Sequence, residues 1–270
     1  MDYTGGLFVV SPCRRRSGAA WYAANAMQSS APTPDAVADL APKGRLRAAI
    51  NYGNPVLANR NPATGEPGGI STDIARELAR RLGVPLEPVL YDQAGKVVEG
   101  LKAGAWDVCF LAIDPLRATE IAFTTPYIVI EGVYMVASDS PFRSNEELDR
   151  SGTRIGVIVG SAYDLFLSRE LKQAAIVRAA DQEAVMGLWA GGGLDAVAGV
   201  KPVLEADARR AGGLRLLPRR FMAINQAMGT PRERGAGARY LKSFVEDVKA
   251  SGFVAEAFAR NGIDGASLAT

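Results

Sequence analysis

Two short segments of the sequence carry groups suited to binding a small anion. Arg117 follows an apolar run through a turn that Pro115 restrains, so its guanidinium can hold a carboxylate with two hydrogen bonds. Gly160, Ser161 and Ala162 stand between a predicted strand and a predicted helix, where N–H groups and a hydroxyl can bind an anion. The alternatives are a surface arginine on a short helix and a serine that only caps its helix.

Composition excludes several other kinds of chemistry. None of the 270 residues is histidine, which excludes Ser-His-Asp and Cys-His nucleophiles and histidine-bound metals. The two cysteines form no disulfide or zinc pattern, and Cys109 lies in an apolar run that is typical of a buried thiol. We therefore expect no metal and no other cofactor.

The charge of the chain is concentrated at its beginning. Residues 1–26 hold three arginines and one aspartate, which account for the whole net charge of +2. The neutral remainder argues against a nucleic-acid partner, because such domains usually carry a basic excess. Residues 1–26 also lack a convincing signal peptide. We expect residues 1–37 to form a largely disordered N-terminal tail.

The elements that must position these groups alternate between strands and helices. A first set is predicted at Leu46–Ile50, Ser71–Leu82, Leu86–Leu90, Val97–Leu101 and Trp106–Ala112. The same rhythm restarts after residue 153, with strands predicted at Arg154–Val159, Ile176–Val177, Asp195–Ala198 and Leu214–Leu217. This alternation is typical of an α/β protein with parallel strands.

Two β-rich segments, Tyr127–Ala137 and Phe221–Met228, connect the two α/β units. They indicate that the second unit is inserted into the first through two crossings. The predicted boundaries are residues 38–130 and 226–270 for the first lobe and residues 131–225 for the second.

Five stretches of the chain follow one another at the spacing of a known family. They are Gly69–Asp73 after the first strand, Gly100–Asp107 (GLKAGAWD), Arg117–Tyr127 (RATEIAFTTPY), Ile155–Ser161 (IGVIVGS) and Leu194–Val203 (LDAVAGVKPV). Over about residues 38–262 the chain thus resembles the family 3 solute-binding proteins of bacterial amino-acid uptake systems. The resemblance implies a type II periplasmic-binding-protein-like fold, with two lobes and two hinge crossings.

The resemblance also implies a ligand in the cleft between the lobes. The family arginine that matches Arg117 grips the α-carboxylate of the ligand, and the segment Gly160–Ala162 faces it from the opposite lobe. Further candidates for ligand contact, whose alternatives are polar turns or hydrogen bonds within the sheet, are Ala112, Asn51, Tyr52, Asn54 and Gln226.

Two positions depart from the amino-acid binders of this family. Val200 stands where their strand ends in an acid that pairs with the ligand ammonium, and Phe110 where some members offer a hydroxyl. A buried ammonium without an acceptor is costly. Either the ligand lacks an ammonium group, or Asp114 or Glu131 supplies the carboxylate. Asp114 could instead pair with Arg117.

The leading hypothesis is a non-catalytic, monomeric receptor for a small carboxylate or amino-acid-like solute. By resemblance it would be the binding component of an ABC uptake system, with a transporter permease as partner and the periplasm as its compartment. Without a convincing signal peptide, a cytoplasmic ligand sensor is an alternative. A cyclohexadienyl-dehydratase-like enzyme is another, with Asp114 or Glu131 as the general acid.

Overall fold

The computed structural model describes residues 31–61, 64–263 and 265–269. The predicted disordered tail falls largely on residues 1–30, which lie outside the described residues. Helix α1 (Pro34–Leu40) includes the last residues assigned to that tail. It begins where the Thr33 hydroxyl accepts a hydrogen bond from the Ala36 N–H, with proline in the first turn.

The first lobe consists of three parallel strands covered by helices. Its elements after α1 are β1 (Leu46–Asn51), β2 (Asn59–Arg60), β3 (Pro67–Gly68), α2 (Ile70–Leu82), β4 (Leu86–Tyr91), α3 (Ala94–Lys102) and β5 (Val108–Ala112). Strand β1 pairs in parallel with β4 on one side and β5 on the other. The sequence pattern did not predict the short β2–β3 hairpin.

Helix α2 was predictable from its apolar spacing and its terminating glycine. Ile74 and Leu78 are fully buried and Leu82 nearly so, at the four-residue spacing of one helix face. Gly83 ends the helix in the left-handed conformation, with φ of 69°.

The second lobe repeats this arrangement and is reached through strand β6 (Ile121–Ala137). It comprises β7 (Arg154–Ile158), α4 (Ala162–Glu170), β8 (Ala175–Ala179), α5 (Gln182–Ala190), β9 (Ala196–Val200), α6 (Lys201–Ala211) and β10 (Leu214–Leu216). The return to the first lobe is β11 (Met222–Pro231), followed by α7 (Gly235–Ala250), α8 (Phe253–Arg260) and β12 (Ala266–Leu268).

Strands β6 and β11 join both lobes into one sheet, with the order β4-β1-β5-β11-β6-β9-β7-β8. They pair in antiparallel fashion from Ile121 to Gly132, so β6 begins before the predicted Tyr127 because it pairs with the end of β11. The α/β class and the two crossings are confirmed. The predicted lobe boundaries, after residues 130 and 225, fall inside these two strands.

Each lobe has its own core. In the first, Trp106, Val97 and Leu111 pack together, and the Trp106 indole donates to the Val97 carbonyl at 2.8 Å. In the second, Met135 and Val197 lie in a separate cluster. Among the residues that the structure describes, no helix has the length and apolar character that a membrane span requires.

Candidate ligand-binding site

A cavity of about 420 Å³ lies between the two lobes. The first lobe contributes the segments that follow β1 and β4 and the end of β5, and the second lobe those at the ends of β7, β8 and β9. Strand β11 contributes Ile224 and Gln226. The carboxyl ends of the parallel strands therefore meet at this cavity, which is where open α/β sheets bind their ligands.

Arg117 lines this cavity and contacts both lobes. Its Nη1 donates to the Ala112 carbonyl at 3.0 Å, and its Nη2 donates to the Gly160 carbonyl of the second lobe at 2.8 Å. The residue is 3% exposed, and its Nε has no hydrogen-bond partner among the described residues. Burial lowers the pKa of the guanidinium, while Asp114 acts in the opposite direction. The group stays charged at neutral pH because arginine starts far above it.

The backbone N–H groups at the start of helix α4 have more partners within the protein than the sequence suggested. The Ser161 hydroxyl caps the helix by accepting from the Asp164 N–H at 3.0 Å, and an Asp164 carboxylate oxygen accepts from the Gly160 N–H at 2.9 Å. The Ser161 N–H donates to the Ile158 carbonyl. The Gly160 and Ser161 N–H groups are thus paired within the second lobe, and ligand contact by the Gly160–Ala162 segment stays a prediction. The Ser-x-x-Asp spacing is the capping pattern that could have revealed this.

Most of the predicted ligand contacts come together around the cavity. Its lining includes Asn51, Tyr52, Asn54, Phe110, Ala112, Arg117, Ser161, Ala162, Val200 and Gln226. Gly160, Asp114 and Glu131 are not among the described lining residues. Gly160 still contributes, because its carbonyl binds Arg117.

The two acids proposed to replace the missing carboxylate are engaged elsewhere. Asp114 is buried and pairs with Arg169 of the second lobe at 2.8 Å, and not with Arg117 as the alternative had it. Glu131 pairs with Lys201 at 2.8 Å. Sequence reasoning missed Arg169, because no local pattern connects it to a residue on the opposite lobe.

Three polar atoms of the cavity lining are buried without a partner among the described residues. They are the Tyr52 hydroxyl, the Asn54 Oδ1 and the Arg117 Nε. An unsatisfied buried polar group costs about 1–3 kcal/mol. All three atoms are closed off from solvent in this structure, so a ligand would contact them only after a local shift of the lining.

Sequence reasoning also missed two hydroxyl-bearing residues of the lining, Ser71 and Tyr163. Ser71 lies in the first turn of α2, and its hydroxyl is 3.3 Å from that of Tyr127. The Tyr127 ring packs edge-on against Phe110, with 6.2 Å between the centroids. Burial raises the pKa of Tyr127 above its usual range. The Gly69–Asp73 motif, which contains Ser71, was the sequence signal that could have placed Ser71 near the ligand.

The acids that do line the cavity are Asp92, Asp181 and Glu183, and all three are exposed. Asp92 pairs with Lys96 at 2.9 Å, and Asp181 caps helix α5. These residues lie in the segments after the edge strands β4 and β8. The two segments touch where the Gln93 amide donates to the Ala180 carbonyl at 2.6 Å, so the lobes are closed on this side.

Residues 46–261 match the model of the bacterial extracellular solute-binding proteins, family 3. The chain belongs to this family. The match spans both lobes and both crossings, and it includes Arg117 and the start of helix α4. The resemblance seen in the five sequence motifs is thereby confirmed.

Solved structures support the same two-lobe fold. A mutant of ArgBP from T. maritima is 23% identical, with a TM-score of 0.70 over 83% of this chain and 98% of that one. The L-cysteine solute receptor of Neisseria gonorrhoeae is 19% identical, with a TM-score of 0.74 over 87% and 99%. An ancestral amino-acid-binding protein, a precursor of cyclohexadienyl dehydratase, is 19% identical, with a TM-score of 0.69 over 83% and 98%. At these identities the likeness establishes the fold and not the ligand.

Proposed function

We propose that this family 3 protein is the binding component of an ABC uptake system, or a related solute receptor, that closes its lobes around a small carboxylate. The observation that carries the proposal is the position of Arg117. Its buried guanidinium lies in the cavity and contacts the backbone of both lobes, and it keeps an unpaired Nε donor.

This arrangement is suited to a carboxylate for electrostatic reasons. A buried guanidinium favours an anionic partner, and charge-assisted hydrogen bonds are about twice as strong as neutral ones. Nη1 and Nη2 each carry a second N–H that the two carbonyls do not use, and these are the donors that we propose for the ligand oxygens. Because Gly160 binds Arg117 only when the lobes meet, the same side chain links ligand binding to closure.

The solutes named for similar folds are consistent with this class. The T. maritima ArgBP has been solved with arginine, and the N. gonorrhoeae receptor is described for L-cysteine. Both solutes carry an α-carboxylate. For this chain the carboxylate is the shared feature that we propose.

Binding measurements test the proposal. Thermal shift and calorimetry against amino acids, 2-oxo acids and dicarboxylates should identify a carboxylate that raises the Tm. Arg117→Ala should weaken its binding by roughly 30- to 150-fold, since a charged hydrogen bond contributes about 2–3 kcal/mol.

Arg154→Ala is the matched control, because Arg154 pairs with Asp195 inside the second lobe and does not line the cavity. It should leave the affinity unchanged. An Arg117→Ala protein that binds the same carboxylate with unchanged affinity would refute the proposal.

The enzymatic alternative finds less support in the site. The two acids considered for dehydration, Asp114 and Glu131, lie outside the described lining and are ion-paired with Arg169 and Lys201. The acids that do line the cavity are exposed, so they lack the burial that usually prepares a carboxyl group for general acid catalysis. We infer a binding role without turnover. Conversion of prephenate or arogenate by the purified protein would overturn this inference.

The compartment and the partner follow from the proposed role. We propose an exported, monomeric receptor that delivers its solute to a transporter permease, in line with the extracellular family to which it belongs. Cell fractionation distinguishes this from a cytoplasmic sensor. Light scattering at micromolar concentration tests the monomer.

A further inference from the structure

Gln226 is a buried polar residue whose side chain is not used by the protein itself. It is 5% exposed, lines the cavity, and its side-chain amide forms no hydrogen bond with any described residue. An amide offers two N–H donors and a carbonyl acceptor. Because the protein does not pair these groups, a ligand that displaces water from them must offer hydrogen bonds in return.

The sheet places Gln226 next to the residues that hold Arg117. Gln226 is the antiparallel partner of Ala112, whose carbonyl accepts from Arg117 at 3.0 Å. Directly opposed residues of such strands have Cα atoms about 4.5–5.5 Å apart. Ile224 also lines the cavity, as expected for a residue two positions away on the same face of β11. Gln226 therefore lies one strand away from the carbonyl that holds the Arg117 guanidinium.

The pairing of β11 with β6 is irregular at this point. Gln226 faces Ile128, whereas Ala227 faces Pro126, so Tyr127 is an extra residue in β6. Such a bulge bends the strand locally and redirects side chains, and bulges are frequent beside binding sites. Here the bulge follows directly after Gln226, the last residue of β11 that lines the cavity.

The cavity-lining residues on the central strands around Gln226 carry no negative charge. We call Phe110, Ala112, Val200, Ile224 and Gln226 the inner wall, since they lie on the central strands β5, β9 and β11. None of the five is acidic.

The acids of the described lining do not lie on the strands of the inner wall. Asp92, Asp181 and Glu183 follow the edge strands β4 and β8, each two strands away from β5 or β9. That separation is about 10 Å at the ordinary strand spacing. An ammonium group whose only contacts were with the inner wall would be buried without a carboxylate, which is strongly unfavourable.

We propose that Gln226 determines the ligand class, by hydrogen bonding the C2 oxygen of a 2-oxo or 2-hydroxy carboxylate whose carboxylate binds Arg117. This rests on the proposed function and narrows it. The amide N–H groups pair with a 2-oxo oxygen, and the amide carbonyl can also accept from a 2-hydroxyl. A neutral amide one strand from Phe110, on a wall whose members are all uncharged, favours such uncharged substituents over the ammonium of a 2-amino acid.

Matched ligands test this directly on the purified full-length protein. Calorimetry compares three carbon skeletons, each as oxo, hydroxy and amino acid. The compounds are pyruvate, L-lactate and L-alanine; 4-methyl-2-oxopentanoate, L-2-hydroxy-4-methylpentanoate and L-leucine; and phenylpyruvate, L-3-phenyllactate and L-phenylalanine. Within the skeleton that binds best, we expect the oxo or hydroxy acid to bind at least about fivefold tighter than the amino acid, since an unpaired buried group costs about 1–3 kcal/mol.

Two variants test the two halves of the argument. Gln226→Glu keeps the shape and replaces the donor by a negative charge, so the 2-oxo acid should lose at least about tenfold in affinity. Val200→Asp adds a carboxylate to the inner wall and should raise the affinity for the amino acid relative to its oxo analogue. Asn225→Asp is the matched control, since this neighbouring amide does not line the cavity, and it should preserve the wild-type preference.

Different results would contradict the role of Gln226 and the proposed carboxylate receptor. If the amino acid binds as tightly as its analogues in every skeleton, or if Gln226→Glu leaves 2-oxo acid binding unchanged, the inference is wrong while the carboxylate receptor stands. If none of the compounds binds, the inference fails together with the carboxylate specificity. Even if a variant does not fold, the affinities of the wild-type protein for the oxo, hydroxy and amino acids test the inference.

Discussion

Replacing Arg169 by glutamine should favour opening of the cleft, because it removes an ion pair between the lobes. Arg169 lies in α4 of the second lobe, and its Nη2 is 2.8 Å from an Asp114 carboxylate oxygen of the first lobe. The Asp114 side chain is 4% exposed and that of Arg169 is 41% exposed. In the closed form of the variant, Asp114 would keep one hydrogen bond from the Leu116 N–H and lose its counter-charge.

The size of the effect follows from this half-buried geometry. Exposed ion pairs contribute about 0.2–1 kcal/mol, whereas breaking a buried pair costs about 3–5 kcal/mol. Because solvent screens the Arg169 side, we expect about 1–2 kcal/mol less closing free energy. A ligand held between closed lobes should then bind roughly 5- to 30-fold more weakly.

Calorimetry and small-angle scattering measure the two consequences. The Kd for the tightest carboxylate should rise in Arg169→Gln, and the radius of gyration without ligand should increase. Arg154→Gln removes a comparable contact with Asp195 inside the second lobe and should alter neither quantity. The difference between the variants should shrink at high salt, which screens the exposed side of the pair.

The reasoning would be refuted by an Arg169→Gln protein with wild-type Kd and wild-type radius of gyration. Equal weakening in both variants would also contradict it. That result would mean that the effect comes from the stability of the second lobe and not from closure.

The buried Asp107 carboxylate accepts hydrogen bonds from Arg47 and Arg234, so Asp107→Ala should lower the free energy of unfolding by about 3–5 kcal/mol in urea titrations. Burial alone would raise the pKa of Asp107, but these two arginines lower it; its contribution is therefore present above about pH 4 and lost at lower pH. Burial also raises the pKa of the Cys109 thiol to about 12. In a Cys13→Ser variant at pH 8, Cys109 should react with a thiol reagent only after unfolding, and rapid native labelling would contradict its burial.

Much of the fold was predictable from the sequence, because the patterns that encode it are short-range. The four-residue apolar spacing of α2 and its terminating Gly83 depend only on neighbours along the chain. The segment Arg117–Tyr127 and the Gly160–Ser161 turn likewise indicated two sides of a cleft. The start of β6 at Ile121, upstream of Tyr127, was not predicted. It depends on pairing with β11, which is distant in sequence.

The partners of the charged residues were decided by the tertiary structure. Asp114 and Arg169 meet only because the lobes close, and the sequence contains no local record of that contact. Glu131 lies on the same crossing strand as the fully buried Ile130, but successive residues of a strand face opposite sides, and Glu131 pairs with Lys201.

The sequence by itself determined the α/β class, the two crossings, the absence of histidine chemistry and the likeness to family 3. Only the tertiary structure decided which polar groups the protein itself pairs and which it leaves unpaired. Asp164 takes the Gly160 N–H, whereas Arg117 Nε has no partner among the described residues and Gln226 faces the cavity. The physical reason is that a hydrogen-bonding group is satisfied by whatever lies within about 3 Å of it, and this depends on how distant segments pack.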